Sequence, residues 1–458
     1  MLVLAGGGTE GDLTDMRAWS ARLYRHLLDG GDVTGDGLVQ VLVLSTAEES
    51  DWIPTYLVQL GADAAENLRV ASRAAADDAA LTERFAACDA VFLKGGDQGR
   101  YYDLWNDTLL EELILEVHGR GGGVGGTSAG AMSLSGYALA GGMDYVSADV
   151  LVDSHTPYLD DASDGGPGVH DDFLGLWPGA LVDTHFTERG RLGRLAGAMA
   201  LALDEGAPLS LLGVGIEQST GVVVRGGEAE VIGDGTVTLL RPSEPAVRTP
   251  GQGLLWRGVA LDRLPQGWTF DAATGDLGET PAGAIAVSPT RLTAALAEPW
   301  QADGGDRTHE QRFGWAASAA PFSVDPGSDP PLLTGAIGQL NAHDRDRRAL
   351  AHELLYAALG EHPGAAGLLV GAGARLEVEG ATLRSTLDPD AEGPQPSTLI
   401  LDTAGVRAVH RGATPSPYAP SSSGLFPVGL IGAQLHVIGH SESSGWTWDL
   451  ASGQAEAM

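Results

Sequence analysis

The chain has 458 residues, and its 61 acidic side chains against 27 basic ones give a formal net charge of −34. That balance argues against a nucleic-acid backbone or an anionic membrane surface as partner. A 43% hydrophobic fraction with 19% charged residues is that of an ordinary globular protein, and no apolar run is long enough to cross a bilayer.

The length predicts two folding units with room for a sizeable core. The opening MLVLAGGG reads as an immediate core strand and lacks the basic region and cleavage site of a secretory leader. Cys88 is the single cysteine and closes no internal disulfide, so a reducing cytoplasm is the expected setting.

Apolar runs at 2–7, 39–46, 90–96, 122–128 and 180–186 read as buried parallel strands. Between them, segments such as 101–118 and 191–203 space apolar residues by three and four, as helices packed on one face do. The fold class is therefore α/β with a parallel sheet. From about 222 the texture changes to short alternating strands separated by Gly and Pro turns. The expected organisation is a catalytic α/β domain over 1–225, a β-rich extension of it over 226–285, and a C-terminal α+β region over 286–458. GWTFDAATG at 267–275 recurs as GWTWDLASG at 445–453, and His185 with Arg189 is echoed by His343 with Arg347. These echoes predict a degenerate internal repeat over roughly 335–458. Loops rich in Asp, Gly and Pro at 158–173, 301–330 and 386–397 read as surface excursions.

The pentapeptide Gly126-Thr127-Ser128-Ala129-Gly130 stands between an apolar run and a helical stretch. The pattern G-x-S-x-G in a strand–turn–helix setting is a nucleophile elbow: small flanking residues permit a strained turn that presents the Ser128 hydroxyl. The amide of Ala129 is then placed to bind an oxyanion. His185 sits at the carboxyl end of the strand ALVDTH, where α/β sheets gather their sites, and a neutral imidazole there can take the serine proton. Arg189, Arg191 and Arg194 lie just beyond. Guanidinium groups suit bidentate recognition of carboxylates, whereas cations at a helix start oppose its dipole, so the cluster points to a ligand. Gly95, Gly96 and Asp97 form a strand-end loop with a bare backbone.

These segments together resemble the cyanophycinases and, more loosely, the aspartyl dipeptidases of the same serine peptidase family. FLKGGDQGRYYDLW at 92–105, GGTSAGAMSLSG at 125–136, DTHFTERGRLGRL at 183–195 and GVGIEQSTGVVV at 213–224 carry the likeness. The resemblance implies a three-layer parallel sheet like that of class I glutamine amidotransferases and cofactor-free, metal-free peptide hydrolysis. It further implies action on an aspartate- and arginine-containing peptide, with β-aspartyl-arginine dipeptides as products and a homodimer allowed. It casts Ser128 as nucleophile, His185 as base, Gly96 as the second oxyanion donor, and Gln98, Asp183, Arg189, Arg191 and Arg194 as substrate-binding residues. Asp183 is expected to meet the substrate's guanidinium.

Two departures stand out. The family's strand reads Asp-Glu where this chain has Glu217-Gln218, so its triad acid aligns with Gln218 and the carboxylate is shifted by one residue. Adjacent strand residues face opposite sides, so either Glu217 turns inward by a bulge or Gln218 orients His185 as a neutral partner. Asp144 is a third candidate. Thr184 stands where cyanophycinases carry Gln, which bears on substrate choice.

Overall fold

The computed structural model describes residues 1–286 except 13, 48–49, 141–144 and 162–167. Beyond 286 it describes 323–325, 332–336, 356, 359, 366–370, 374–379, 382–387, 397–413 without 404, 427–438, 446–449 and 454–457. Asp144, His343 and Arg347 lie outside the described residues.

Five strands form a parallel core, β1 (Leu2–Ala5), β2 (Gln40–Ser45), β3 (Ala64–Arg69), β4 (Ala90–Leu93) and β5 (Gly123–Thr127), of which β3, AAENLR at the sheet's edge, is largely exposed and is not an apolar run. Their order is β1-β5-β4-β2-β3, every neighbouring pair being parallel. Helices cover both faces, so alternate residues of one strand enter different cores. Val3, Ala5, Val41, Val43 and Phe92 pack on one side, and Leu2, Leu4, Leu42, Leu44, Val91 and Leu93 on the other. The expected helix over 101–118 is two helices, Gln98–Trp105 and Leu109–Gly119, broken where Asp107 takes φ +54°.

A short ribbon, β6 (Ala138–Leu139) with β7 (Val169–His170), precedes β8 (Ala180–Thr184). The sequence places β8 among the core strands. It instead pairs in parallel with β9 (Leu212–Ile216) and opens a second sheet, the two joined by the helix Leu192–Asp204. This correction has a simple cause: a βαβ unit fixes which strands are parallel neighbours, not which sheet they join. The chain then returns to the first sheet through β10 (Thr220–Arg225), antiparallel to β1, and β11 (Glu228–Gly233), antiparallel to β10. So the core sheet is mixed, not wholly parallel, and β15 closes that edge below.

The second sheet continues through β12 (Thr236–Arg241), and the short β13 (Val247–Thr249) leads into the long β14 (Gln252–Pro265); β15 (Thr269–Asp271) then pairs with β11. Its order runs β8-β9-β12-β14, then the segments Val428–Ile438, Thr398–Asp402, Ala366–Val370, Leu332–Ala336 and Ser323–Asp325. Counted inward from β8 and from Leu332–Ala336, the first neighbours are parallel and the following pairs antiparallel, and Ser323–Asp325 adds an antiparallel edge strand beyond Leu332–Ala336. At the centre the register is reciprocal: Trp256 faces Val437 and Arg263 faces Leu430, Val259 faces Leu435 and Leu261 faces Ala433, with Ala260 opposite Gln434 on the axis. That is the pattern of an isologous two-fold contact formed within one chain. The hairpin β10–β11 with β15 has the same counterpart in Ala374–Glu379, Thr382–Leu387 and Trp446–Asp449. The sheet is thus continuous across residues 225 and 285, where the sequence suggested boundaries. Among the described residues no helix is long and apolar enough to cross a membrane.

Candidate active site

The carboxyl ends of β1, β5 and β4 meet at one edge of the core sheet. Ser128 follows the central strand β5 with φ +54° and ψ −122°, a conformation that costs a non-glycine residue on the order of 1–3 kcal/mol. It is held by the amide of Ser128 donating to the Ala5 carbonyl at 2.9 Å and by close packing on both sides. A Cβ at Gly126 would stand 2.5 Å from the Gly130 carbonyl carbon, and one at Gly130 would stand 2.3 Å from the Leu93 oxygen. Only glycine fits at either place, which is the physical content of the motif.

His185 leaves β8 at φ +47° and lays its ring on the loop after β1. Its amide donates to the Gly6 carbonyl at 2.9 Å, and a Cβ on Gly7 would fall 2.3 Å from the ring Cε1. The glycines at 6 and 7 therefore make the cradle for the imidazole, a role that sequence reading did not assign them. Ser128 Oγ lies 2.8 Å from His185 Nε2. Burial lowers the His185 pKa below its ordinary value, opposed by the bond to Glu188 and assisted by the charges of Arg189 and Arg191. The ring is neutral near pH 7 and able to accept a proton.

The other ring nitrogen decides the acid. Gln218 Nε2 lies 3.0 Å from His185 Nδ1, and Glu188 Oε2 lies 3.2 Å from the same atom. The expectation that Glu217 turns toward His185 is corrected. No bulge turns it inward, and its fully buried carboxylate accepts from Arg263 Nη2 at 2.6 Å, from the Thr236 amide at 2.8 Å and from the Thr187 hydroxyl. Alternation wins, putting Glu217 behind the site and Gln218 in it. Glu188 is not among the candidates the sequence offered, which were Glu217 and Gln218 at the end of β9 and Asp144 after the nucleophile. The signal that finds it is a carboxylate three residues after the histidine, which a tight turn brings back to the ring.

That turn is well specified: Arg189 N donates to His185 O, Gly190 N to Thr187 O and Arg191 N to Phe186 O, at 2.9–3.0 Å. It also redirects the arginines. Asp183 is fully buried, with Arg191 Nη1 3.1 Å from one oxygen and Arg194 Nε 3.0 Å from the other. Arg191 also donates to the Thr184 carbonyl and Arg194 to the Tyr145 carbonyl. The expectation that Asp183 meets a substrate guanidinium, and that Arg191 and Arg194 present theirs to a ligand, is corrected on this ground. The internal ion pairs supply the structural gain that a helix start alone does not. Of the three arginines only Arg189 is partly exposed.

Opposite Ser128, a Cβ on Gly95 would lie 3.3 Å from the serine Cβ, so the bare 95–96 backbone closes on it, and Gly96 takes φ +155°. Asp97 caps the next helix by accepting from Gly99 N at 3.1 Å, and Gln98, buried, is its first residue. Ala129, buried, begins the helix after Ser128. Among the described residues, no three His, Cys, Asp or Glu side chains converge as metal ligands would.

The profile of peptidase family S51 matches residues 48–232, the stretch that carries Ser128, His185, Glu188 and Gln218. A cyanophycinase of Trichormus variabilis is 35% identical over 190 residues, which are 41% of this chain and 56% of that protein. The chain thus spans about half the length of that relative. A cyanophycinase of Geminocystis herdmanii is 31% identical over 210 residues, 45% of this chain and 70% of that protein. The structure of a peptidase from an acI-B1 actinobacterium superposes with a TM-score of 0.40 at 22% identity, covering 59% of this chain and 96% of that one. On its sequence likeness to these relatives, the chain belongs to peptidase family S51.

Proposed function

We propose that the chain is a serine-type peptide hydrolase of the cyanophycinase kind, cleaving arginylated polyaspartate to β-aspartyl-arginine dipeptides in the cytoplasm. The observation that carries it is the 2.8 Å contact between Ser128 Oγ and a buried His185 Nε2, on an elbow held at positive φ. In this reading the Ser128 oxygen bonds to the scissile carbonyl carbon while its proton passes to His185 Nε2. The amides of Ala129 and Gly96 hold the resulting oxyanion. Collapse breaks the C–N bond, and His185 returns the proton to the departing amine. Water then releases the acyl group by the same route. The parallel core is read as resembling that of class I glutamine amidotransferases.

A second reading, a hydrolase of other aspartyl peptides, is favoured by one observation: Asp183, the acid expected to meet the substrate's arginine, is already neutralised by Arg191 and Arg194. Labelling with a fluorophosphonate, mapping of the modified residue, and product analysis on cyanophycin and on isoaspartyl dipeptides test both. Modification at Ser128 with β-aspartyl-arginine released supports the first reading, and modification with cleavage of the dipeptides alone supports the second. No labelling and no cleavage would refute both.

A further inference from the structure

We propose that Glu188 is the carboxylate that positions His185, so that the site works as Ser128–His185–Glu188 with Gln218 as a neutral second partner. The proposal rests on the serine-hydrolase reading above. Its ground is the crowding at one atom: Glu188 Oε2 at 3.2 Å and Gln218 at 3.0 Å both address His185 Nδ1.

The two partners are not equivalent. An amide can offer either its NH2 or its oxygen after a half-turn, so Gln218 alone permits both tautomers of the ring. With its NH2 toward Nδ1 it would place the ring proton on Nε2, where it blocks acceptance from Ser128. An ionised carboxylate can only accept. Glu188 therefore requires the proton on Nδ1, frees the Nε2 lone pair that faces Ser128, and turns the Gln218 oxygen, not its NH2, toward the ring. It also stabilises the imidazolium that forms as Ser128 attacks. His185 and Glu188 side chains retain only 10% and 18% of their exposure, so the attraction is weakly screened.

The backbone supports the assignment. Glu188 sits in the turn whose amides bind back to His185 and Phe186, and its neighbour Thr187 is tied to Glu217, itself clamped by Arg263. Glu217 thus braces the loop, and Glu188, on that loop, faces the ring. Where the family resemblance leads one to expect a carboxylate, this chain has Gln218, and the loop residue supplies what that position lacks.

The test compares the rate of fluorophosphonate labelling at Ser128 in the full-length wild type, in Glu188→Gln, and in Glu188→Gln with Gln218→Glu. In the best-studied serine protease, an amide in place of the orienting acid costs about 10⁴-fold through the wrong tautomer. Glu188→Gln should slow labelling at least 100-fold, with peptide kcat falling and KM little changed. Gln218→Glu in that background should restore labelling to within about tenfold of wild type, a rescue that a merely structural Glu188 would not allow. Labelling of Glu188→Gln within twofold of wild type would overturn the proposal, and so would a slow variant that Gln218→Glu fails to restore. Failure of the wild type itself to label at Ser128 would instead bring down the serine-hydrolase reading.

Discussion

The near half of the second sheet, β8-β9-β12-β14, and the far half across its central axis share a strand plan but not a chemistry. In the near half β14 carries Arg263, which is fully buried, paired with Glu217 and stacked 4.2 Å over the ring of Tyr356. The reciprocal register puts Val437 at the corresponding place in the far half, where it is fully buried as a plain apolar side chain. A buried ion pair rarely adds net stability over a hydrophobic pair of similar volume. It therefore earns its place by position: Glu217 directs Gln218 into the site and anchors Thr187, and with it the loop holding His185 and Glu188. The comparison teaches that one strand plan can be stabilised without charge, and that charge is spent where a backbone must be held for chemistry.

The largest effect is expected at the nucleophile, which stands on the core sheet and meets the His185 loop that the near half holds. Ser128→Ala should reduce hydrolysis by about 10⁴-fold or more while leaving the melting transition in place, because the side chain packs little. Peptide turnover and calorimetry on the same sample check it, and full residual activity would remove Ser128 from the chemistry.

Next comes the brace. Glu217→Ala leaves the Arg263 guanidinium buried without its carboxylate and should cost about 3–5 kcal/mol, whereas Val437→Ala should cost about 1–3 kcal/mol. Adding Arg263→Met to Glu217→Ala should recover part of the loss. Urea denaturation of all four proteins reads the difference, and equal losses at Glu217 and Val437 would erase the contrast between the halves. Arg191→Lys and Arg194→Lys belong with this group, since both guanidinium groups serve buried Asp183. They should lower stability more than they raise KM.

The site should also show its own pH signature. His185 faces Ser128, Gln218, Glu188, Arg189 and Arg191, and burial foremost lowers its pKa below the ordinary 6.5. The active form is the neutral ring, so the acid limb of kcat/KM should be centred below pH 6.5, falling about tenfold per unit beneath its midpoint. The stability linked to the neutral buried ring has the same sign: present above the unfolded value, lost as pH drops through the folded one. An acid limb centred above 6.5 would contradict this. The smallest effect is expected at Arg189, the partly exposed arginine, where Arg189→Lys should raise KM a few-fold for acidic peptides by losing the bidentate fork. An unchanged KM would leave that side chain without a role in binding.

Much of the site was legible as local pattern. G-T-S-A-G specifies an elbow because a Cβ at Gly126 or Gly130 would strike backbone, and that constraint is written in adjacent residues. His185 was legible as the polar residue ending an apolar strand, and Gln218 as a candidate by alignment with a strand motif. The class of the core was legible too, since β1, β2 and β4 are short apolar runs of a kind that only burial on both faces explains.

What the sequence could not determine are the choices between partners of equal chemistry. Glu188, three residues after His185, and Glu217, beyond the next helix and strand, are both carboxylates, and only the turn over 185–190 and the direction of β9 decide which one reaches the ring. Asp183 could have met a ligand's guanidinium or the chain's own, and Arg191 and Arg194 took it because the helix start brings them back over β8. Likewise β8 could have joined the core sheet, and the reciprocal pairing of β14 with Val428–Ile438 links residues far apart in sequence. Local patterns fix backbone conformation because their contacts lie within a few residues; pairings between distant segments depend on which surfaces the whole fold brings together.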